Sequence, residues 1–104
     1  MGKKSTLTTY IQPVFRFLKT IPKGKVVTYQ TVAKHCGMTN PRHVGWVLHQ
    51  NKEPEKIPCY KVVRTGGYLA QGYKFGGQKE QKKLLLADGV LFDAERIAPK
   101  CFME

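Results

Sequence analysis

The segment Thr28-Tyr29-Gln30-Thr31-Val32-Ala33-Lys34-His35-Cys36-Gly37-Met38-Thr39-Asn40-Pro41-Arg42-His43-Val44-Gly45 decides the fold. Thr28 has the side chain of an N-cap and Gly37 can close a helix in the left-handed conformation, so the spacing predicts a helix over residues 29–36. Asn40-Pro41 then sets a cap before a proline, whose fixed φ and missing N–H suit the first helical position. Val44, Val47 and Leu48 give the helix that follows, residues 41–50, an inward stripe. Two short helices joined by a turn containing glycine make a helix-turn-helix.

Upstream, Tyr10, Ile11, Val14, Phe15 and Leu18 recur at helical spacing. They predict a first helix with Thr8 or Thr9 as cap and Pro13 confined to its first turn. Residues 1–6 are polar and basic and are expected to fray. Downstream, residues 51–56 are polar, carry Pro54 and read as a loop or hinge. The run Ile57-Pro58-Cys59-Tyr60-Lys61-Val62-Val63 follows and presents a thiol behind a proline, on a rigid extended turn at the mouth of a β-prone stretch. Val62-Val63, the turn Thr65-Gly66-Gly67 and Tyr68-Leu69 predict a small hairpin. After a glycine- and aromatic-rich stretch, residues 78–87 read as a last helix, inward at Leu84 and Leu85 and stopped by Gly89. Residues 90–92 and 96–97 pair around Asp93-Ala94. The expected fold class is mostly α with a small β-hairpin wing, in one domain over residues 1–104.

Eighteen Lys and Arg against seven Asp and Glu give a net charge of +11 over 104 residues, which points to a polyanion, nucleic acid before membrane. No apolar run approaches the roughly 20 residues that span a bilayer, and no secretory signal opens the chain, so a cytoplasmic protein is expected. Cys36, Cys59 and Cys101 are an odd number without a CxxC pair, and His35, His43 and His49 have no cysteine at ligand spacing. Neither a disulfide framework nor a structural metal is expected, and no cofactor.

Arg42 falls in the first turn of the second motif helix, where free backbone N–H groups and the dipole favour phosphate. It faces DNA, or it is a solvated arginine on an ordinary helical hairpin. Gly45 would let DNA or another backbone approach closely. Cys59 is a nucleophile or a small core residue; a nucleophile needs a lowered pKa, for which Lys61 and Arg64 are candidate cations. Trp46 is assigned to the core rather than to base stacking, and Lys79, Lys82 and Lys83 to a solvated helix face. Cys36 and Cys101 have no argued role.

Gly24-Lys25-Val26-Val27-Thr28-Tyr29, Arg42-His43-Val44-Gly45, Asn51, Pro58-Cys59-Tyr60-Lys61-Val62-Val63, Gly72-Tyr73 with Gly76, and Leu84-Leu85-Leu86-Ala87-Asp88-Gly89 share an order and spacing. Together they resemble the DNA-binding domain of the O6-alkylguanine-DNA alkyltransferases and the related alkyltransferase-like proteins, over residues 8–92. The resemblance implies a monomeric winged helix-turn-helix that enters the minor groove of double-stranded DNA, flips an O6-alkylguanine and holds it in a pocket. In that scheme Arg42 is the finger that fills the gap in the stack, and Asn40, Gly45 and Lys61 join it at the DNA. Tyr29 crowds the target phosphate and offers a proton to the guanine. Asn51, grouped with the DNA-binding residues, braces the turn before the cysteine. Tyr29, Cys59, Val62, Tyr73 and Lys74 form the lesion pocket, and Cys59 is the irreversible, single-turnover alkyl acceptor.

Two departures leave enzymatic activity open. Active members of the resembled family have Pro-Cys-His-Arg, the histidine drawing the thiol's proton toward a glutamate; here those positions are Tyr60 and Asp88. A phenol with a pKa of about 10 is a poor base at neutral pH, and losing general-base assistance costs about a hundredfold to ten-thousandfold in rate. The short alkyltransferase-like proteins place tryptophan at the Cys59 position and recruit nucleotide excision repair proteins, whereas this chain has their size and keeps the thiol. Three readings follow: alkyl transfer to Cys59, a non-enzymatic lesion sensor, and a plain winged-helix regulator that reads the major groove.

Overall fold

Val27 pairs with Val62 and Thr28 with Val63, in parallel, and this short ladder joins the two halves of the chain in the computed structural model, which describes residues 7–103. The fraying expected of residues 1–6 lies outside the described residues. The helices are α1 (Ile11–Leu18), α2 (Tyr29–His35), α3 (Arg42–Leu48) and α4 (Gly77–Ala87). The strands are β1 (Val27–Thr28), β2 (Val62–Val63), β3 (Phe92–Asp93) and β4 (Arg96–Ile97).

Both ends of α2 form as its sequence dictates. The Thr28 hydroxyl accepts from the Thr31 N–H at 3.1 Å, and Gly37 takes φ +76° beyond the C-terminus. The Met38 N–H then reaches the Ala33 carbonyl at 2.8 Å and the Gly37 N–H the Lys34 carbonyl, so the last carbonyls of the helix are satisfied by the turn into α3. At the start of α3 the Asn40 carboxamide oxygen accepts from the Arg42 N–H at 3.0 Å, the cap read from Asn40-Pro41. The cap expected of Thr8 or Thr9 is displaced: α1 begins at Ile11, with Tyr10 in the cap position.

Side-chain alternation along the β1–β2 ladder divides the core. Val27 and Val62 face a cluster built on Val14, Leu18, Val32, Val44 and Val47; Val26 and Val63 face a second one with Leu85, Val90 and Ile97. Each fully buried valine of the ladder contributes about 1.5–3 kcal/mol of burial, which holds a pairing only two residues long. Gln81, fully buried on α4, ties the clusters together. Its Nε2 donates to the carbonyls of Tyr60 at 2.9 Å and Val62 at 3.2 Å, while its Oε1 accepts from the Ala70 N–H at 3.0 Å.

Three local expectations need correction. Val62-Val63 is a parallel partner of β1 rather than the first arm of a hairpin; what remains of that hairpin is one antiparallel bridge, Arg64 to Tyr68. The antiparallel hairpin of the fold is β3–β4, pairing Phe92 with Ile97 and Asp93 with Arg96 around Ala94. Trp46 is 40% exposed instead of buried, because Val44, Val47 and Leu48 take the inward positions of α3. The thiol is presented on an inverse γ-turn rather than on extended chain: Pro58 has φ −77° and ψ 69°, the Cys59 N–H donates to the Ile57 carbonyl at 2.7 Å, and one 3-10 turn, Cys59–Lys61, follows. Among the described residues, no helix is long and apolar enough to cross a membrane.

Candidate functional site

Because β1 runs directly into α2 and β2 directly follows the cysteine turn, their pairing sets Tyr29 beside Cys59. Together they line a cavity of about 500 Å³, with Arg42 and Gly45 of α3 on one side and Tyr73 and Lys74 of the glycine-rich loop on another. A volume of that size lies in the range of small-ligand pockets. Among the described residues, the charged ones lining the cavity are Arg42, Arg64 and Lys74, with no carboxylate. Adding a Cβ at Gly45 meets nothing of this chain within 4 Å. Internal packing therefore does not demand glycine there, and the space beside it is open.

Cys59 is buried, and Asn51 fixes its sulfur. The Asn51 Nδ2 donates to the Ile57 carbonyl at 2.9 Å and to Cys59 Sγ at 3.3 Å, and its Oδ1 accepts from the Glu53 N–H at 2.8 Å. One side chain thus closes the loop after α3 onto the cysteine turn. Burial pushes the thiol above its ordinary value, offset in part by the Asn51 hydrogen bond, a backbone hydrogen bond and the Lys74 charge. Burial also raises the Tyr29 phenol, with the Cys59 charge in the same direction and Arg64 opposing. Tyr73 is raised by burial and then by the Cys59 charge, and its buried hydroxyl has no hydrogen-bond partner among the described residues.

Not every residue assigned from sequence stands at this cavity. Lys61 is 4% exposed and points inward: its Nζ pairs with Asp88 Oδ2 at 2.9 Å and donates to the Ile21 and Pro22 carbonyls at 3.3 and 2.9 Å. An ammonium so enclosed is not presented at the surface, and the cation that favours the thiolate is Lys74. Val62 is fully buried in the ladder and is not among the cavity's lining residues. Asn51, also fully buried, braces the cysteine turn. Asp88 Oδ2 takes a second hydrogen bond from the Gly24 N–H at 2.8 Å, so it is held by two donors at the end of α4. Burial, then the charge and hydrogen bonding of Asp88, raise the Tyr60 phenol. Tyr60 is thereby kept protonated at neutral pH.

Gln81 and His49 were missed by sequence reasoning. Gln81 reads as one more polar residue on an exposed helix, and only the β1–β2 pairing shows that it lies inside. His49 lines the cavity, and its carbonyl accepts from Lys74 Nζ at 2.7 Å. Cys36 is partly buried, and Cys101 is buried and accepts from the Leu91 N–H at 3.4 Å; both are free thiols. Lys79, Lys82 and Lys83 are exposed on α4.

Residues 9–90 match the family described as 6-O-methylguanine DNA methyltransferase, DNA binding domain. The chain belongs to this family. It is 44% identical over 75 residues to a methylated-DNA–protein-cysteine methyltransferase of Pyrobaculum aerophilum, covering 72% of this chain and 49% of that protein. It is 38% identical over 88 residues to one from Methanothermobacter thermautotrophicus, covering 85% and 48%. The chain thus spans about half the length of these curated relatives. Among solved structures it resembles the O6-methylguanine-DNA methyltransferase of Pyrococcus kodakaraensis, with TM-score 0.67 and 35% identity over 78% of this chain and 46% of that one. It shares its fold with S. pombe Atl1, solved in complex with damaged DNA containing O6-carboxymethylguanine, at TM-score 0.77 and 23% identity over 93% of this chain and 96% of the other. The expected winged helix-turn-helix fold stands.

Proposed function

We propose that this protein binds duplex DNA from the minor groove, receives a flipped O6-alkylguanine in the cavity and takes the alkyl group onto Cys59. The observation that carries this reading is the placement of the Cys59 thiol in the wall of a cavity whose other side is the first turns of α3, with Arg42 exposed beside it. Arg42 fills the place the nucleotide leaves, and Gly45 admits the backbone of the DNA. Tyr29 stays protonated at neutral pH because burial raises its phenol.

The Cys59 thiolate attacks the alkyl carbon in line with the bond to O6. A sulfur–carbon bond forms as the carbon–oxygen bond breaks, and its electron pair leaves with O6. The departing guanine anion takes a proton from Tyr29, which solvent returns, and the thiol's own proton passes to water. The side chain bonded to Sγ is the Asn51 amide, which holds the sulfur without accepting its proton. Transfer is therefore slow compared with a histidine-assisted site, and the thioether is permanent. A methyl group radiolabelled in the DNA should move to the protein and stay there after nuclease digestion, and Cys59→Ala should abolish the transfer; label that never leaves the DNA refutes it.

A second reading is favoured by the burial-raised thiol and the neutral Tyr60: a lesion sensor that binds without transfer and hands the site to excision repair proteins. It requires Cys59→Ala to keep a preference for alkylated over plain duplex while the native chain stays unmodified. Equal affinities for the two duplexes would remove this second reading.

A further inference from the structure

Lys74 makes contacts that an exposed loop residue does not need. Its Nζ donates to the His49 carbonyl at 2.7 Å and to the Asn51 carbonyl at 3.1 Å, just beyond α3, where helix carbonyls lack intrahelical partners. Asn51 carries the connection onward, since its Nδ2 donates to Cys59 Sγ at 3.3 Å. The glycine-rich loop, the end of α3 and the sulfur are thus joined through one ammonium and one carboxamide.

We propose that Lys74 is the latch of this site, pinning the loop of residues 71–76 beside the cavity and supplying the cation that faces the Cys59 sulfur. The inference rests on Cys59 being the reacting group. Lys61 is closer in sequence but is consumed by Asp88 and two carbonyls. Arg64 acts on Tyr29. The other titratable groups around the sulfur are phenols: Tyr29 from α2, Tyr60 from its own turn and Tyr73 from the loop. Burial keeps all three neutral at physiological pH, so they bring no charge. Arg42 of α3 and His49 at its C-cap line the same cavity, and Lys74 is the charge that favours the thiolate, after the hydrogen bonds from Asn51 and the backbone. By holding the His49 and Asn51 carbonyls, Lys74 also fixes where Tyr73 meets the cavity. It is a positioning residue, acting on the sulfur partly through Asn51.

The test uses the free protein without DNA. Carbamidomethylation of Cys59 by iodoacetamide is followed by peptide mass spectrometry across pH in the native chain, Lys74→Met and Lys74→Arg, with circular dichroism melts to confirm folding. Lys74→Gln replaces the methionine variant if that one does not fold. Removing the charge should raise the midpoint for Cys59 by about half a unit to one unit, and arginine should return it. A midpoint unmoved by the neutral variant, or one that arginine does not restore, overturns the proposal. The assay needs no lesion, so a shifted midpoint in a protein that ignores alkylated DNA supports the latch while sinking the proposed function.

Discussion

Lys61 Nζ lies 2.9 Å from Asp88 Oδ2 in surroundings that leave the two side chains only 5% and 15% exposed. The pair fastens the turn after the cysteine to the end of α4 and, through the Gly24 N–H, to the loop before β1. Removing one member strands the other, which costs about 3–5 kcal/mol for a buried pair. Lys61→Met and Asp88→Asn should each lower stability by that order in urea unfolding, and the double variant should recover part of the loss. Affinity of the folded Lys61→Met protein for DNA should be unchanged; a drop to the level of an Arg42 variant would place Lys61 at the interface after all.

The thiol sets a pH signature. Its folded-state pKa is raised by burial, so at neutral pH it is mostly protonated, and the nucleophilic fraction grows as pH rises. Transfer should therefore accelerate roughly tenfold per pH unit between about pH 6 and pH 8. A rate already flat across that range would mean a base is present. The same direction bears on stability. Cys59, Tyr29, Tyr60 and Tyr73 hold their protons more tightly folded than unfolded, so their contribution is fully present below the unfolded pKa values and is lost as pH rises through the folded ones. Melting temperature should fall from neutral toward alkaline pH.

Arg42 and Gly45 separate binding from folding. Arg42→Ala should weaken binding to alkylated duplex and, if its guanidinium meets a phosphate, reduce the slope of log affinity against log salt by about one. Gly45→Ala places a methyl group in open space on a helix, so it should raise stability by roughly 0.5–1 kcal/mol while weakening DNA binding. Titrations by fluorescence anisotropy beside thermal melts check both, and a Gly45→Ala protein that binds as the native one does would show that no close approach occurs there.

Tyr73 contributes a hydroxyl with no partner among the described residues. Deleting it leaves no protein group stranded, so Tyr73→Phe should be neutral or slightly stabilising in unfolding experiments. If that hydroxyl meets the lesion, affinity for alkylated duplex should fall by about fivefold to tenfold while affinity for plain duplex holds. Equal losses on both duplexes would assign Tyr73 to general packing.

The helices were legible because their signals are local. Thr28, Gly37, Asn40 and Gly89 act within a few residues of themselves, and the caps and left-handed closures they form follow from that short reach. Tyr29, Arg42, Gly45, Cys59, Tyr73 and Lys74 were gathered from the sequence, and they line one cavity. What was not legible depends on contacts across the chain. Val62-Val63 carries equal β-propensity toward any partner, and choosing Val27-Thr28 over Tyr68-Leu69 is decided by the two cores on either side of the ladder. Lys61 faces inward because Asp88 and two carbonyls, 27 to 40 residues away, meet it there. Gln81 is polar yet buried for the same kind of reason, since its partners belong to the cysteine turn, β2 and the chain beside Ala70.

Acceptance of the alkyl group by the Cys59 sulfur is read by peptide mass spectrometry after prolonged incubation with a duplex containing one O6-methylguanine. The Cys59 peptide should be heavier by one methylene in stoichiometric yield, with Cys36 and Cys101 unchanged and ordinary guanine restored in the DNA. A Cys59 peptide of unaltered mass, in a protein shown to be bound to the lesion, would contradict it.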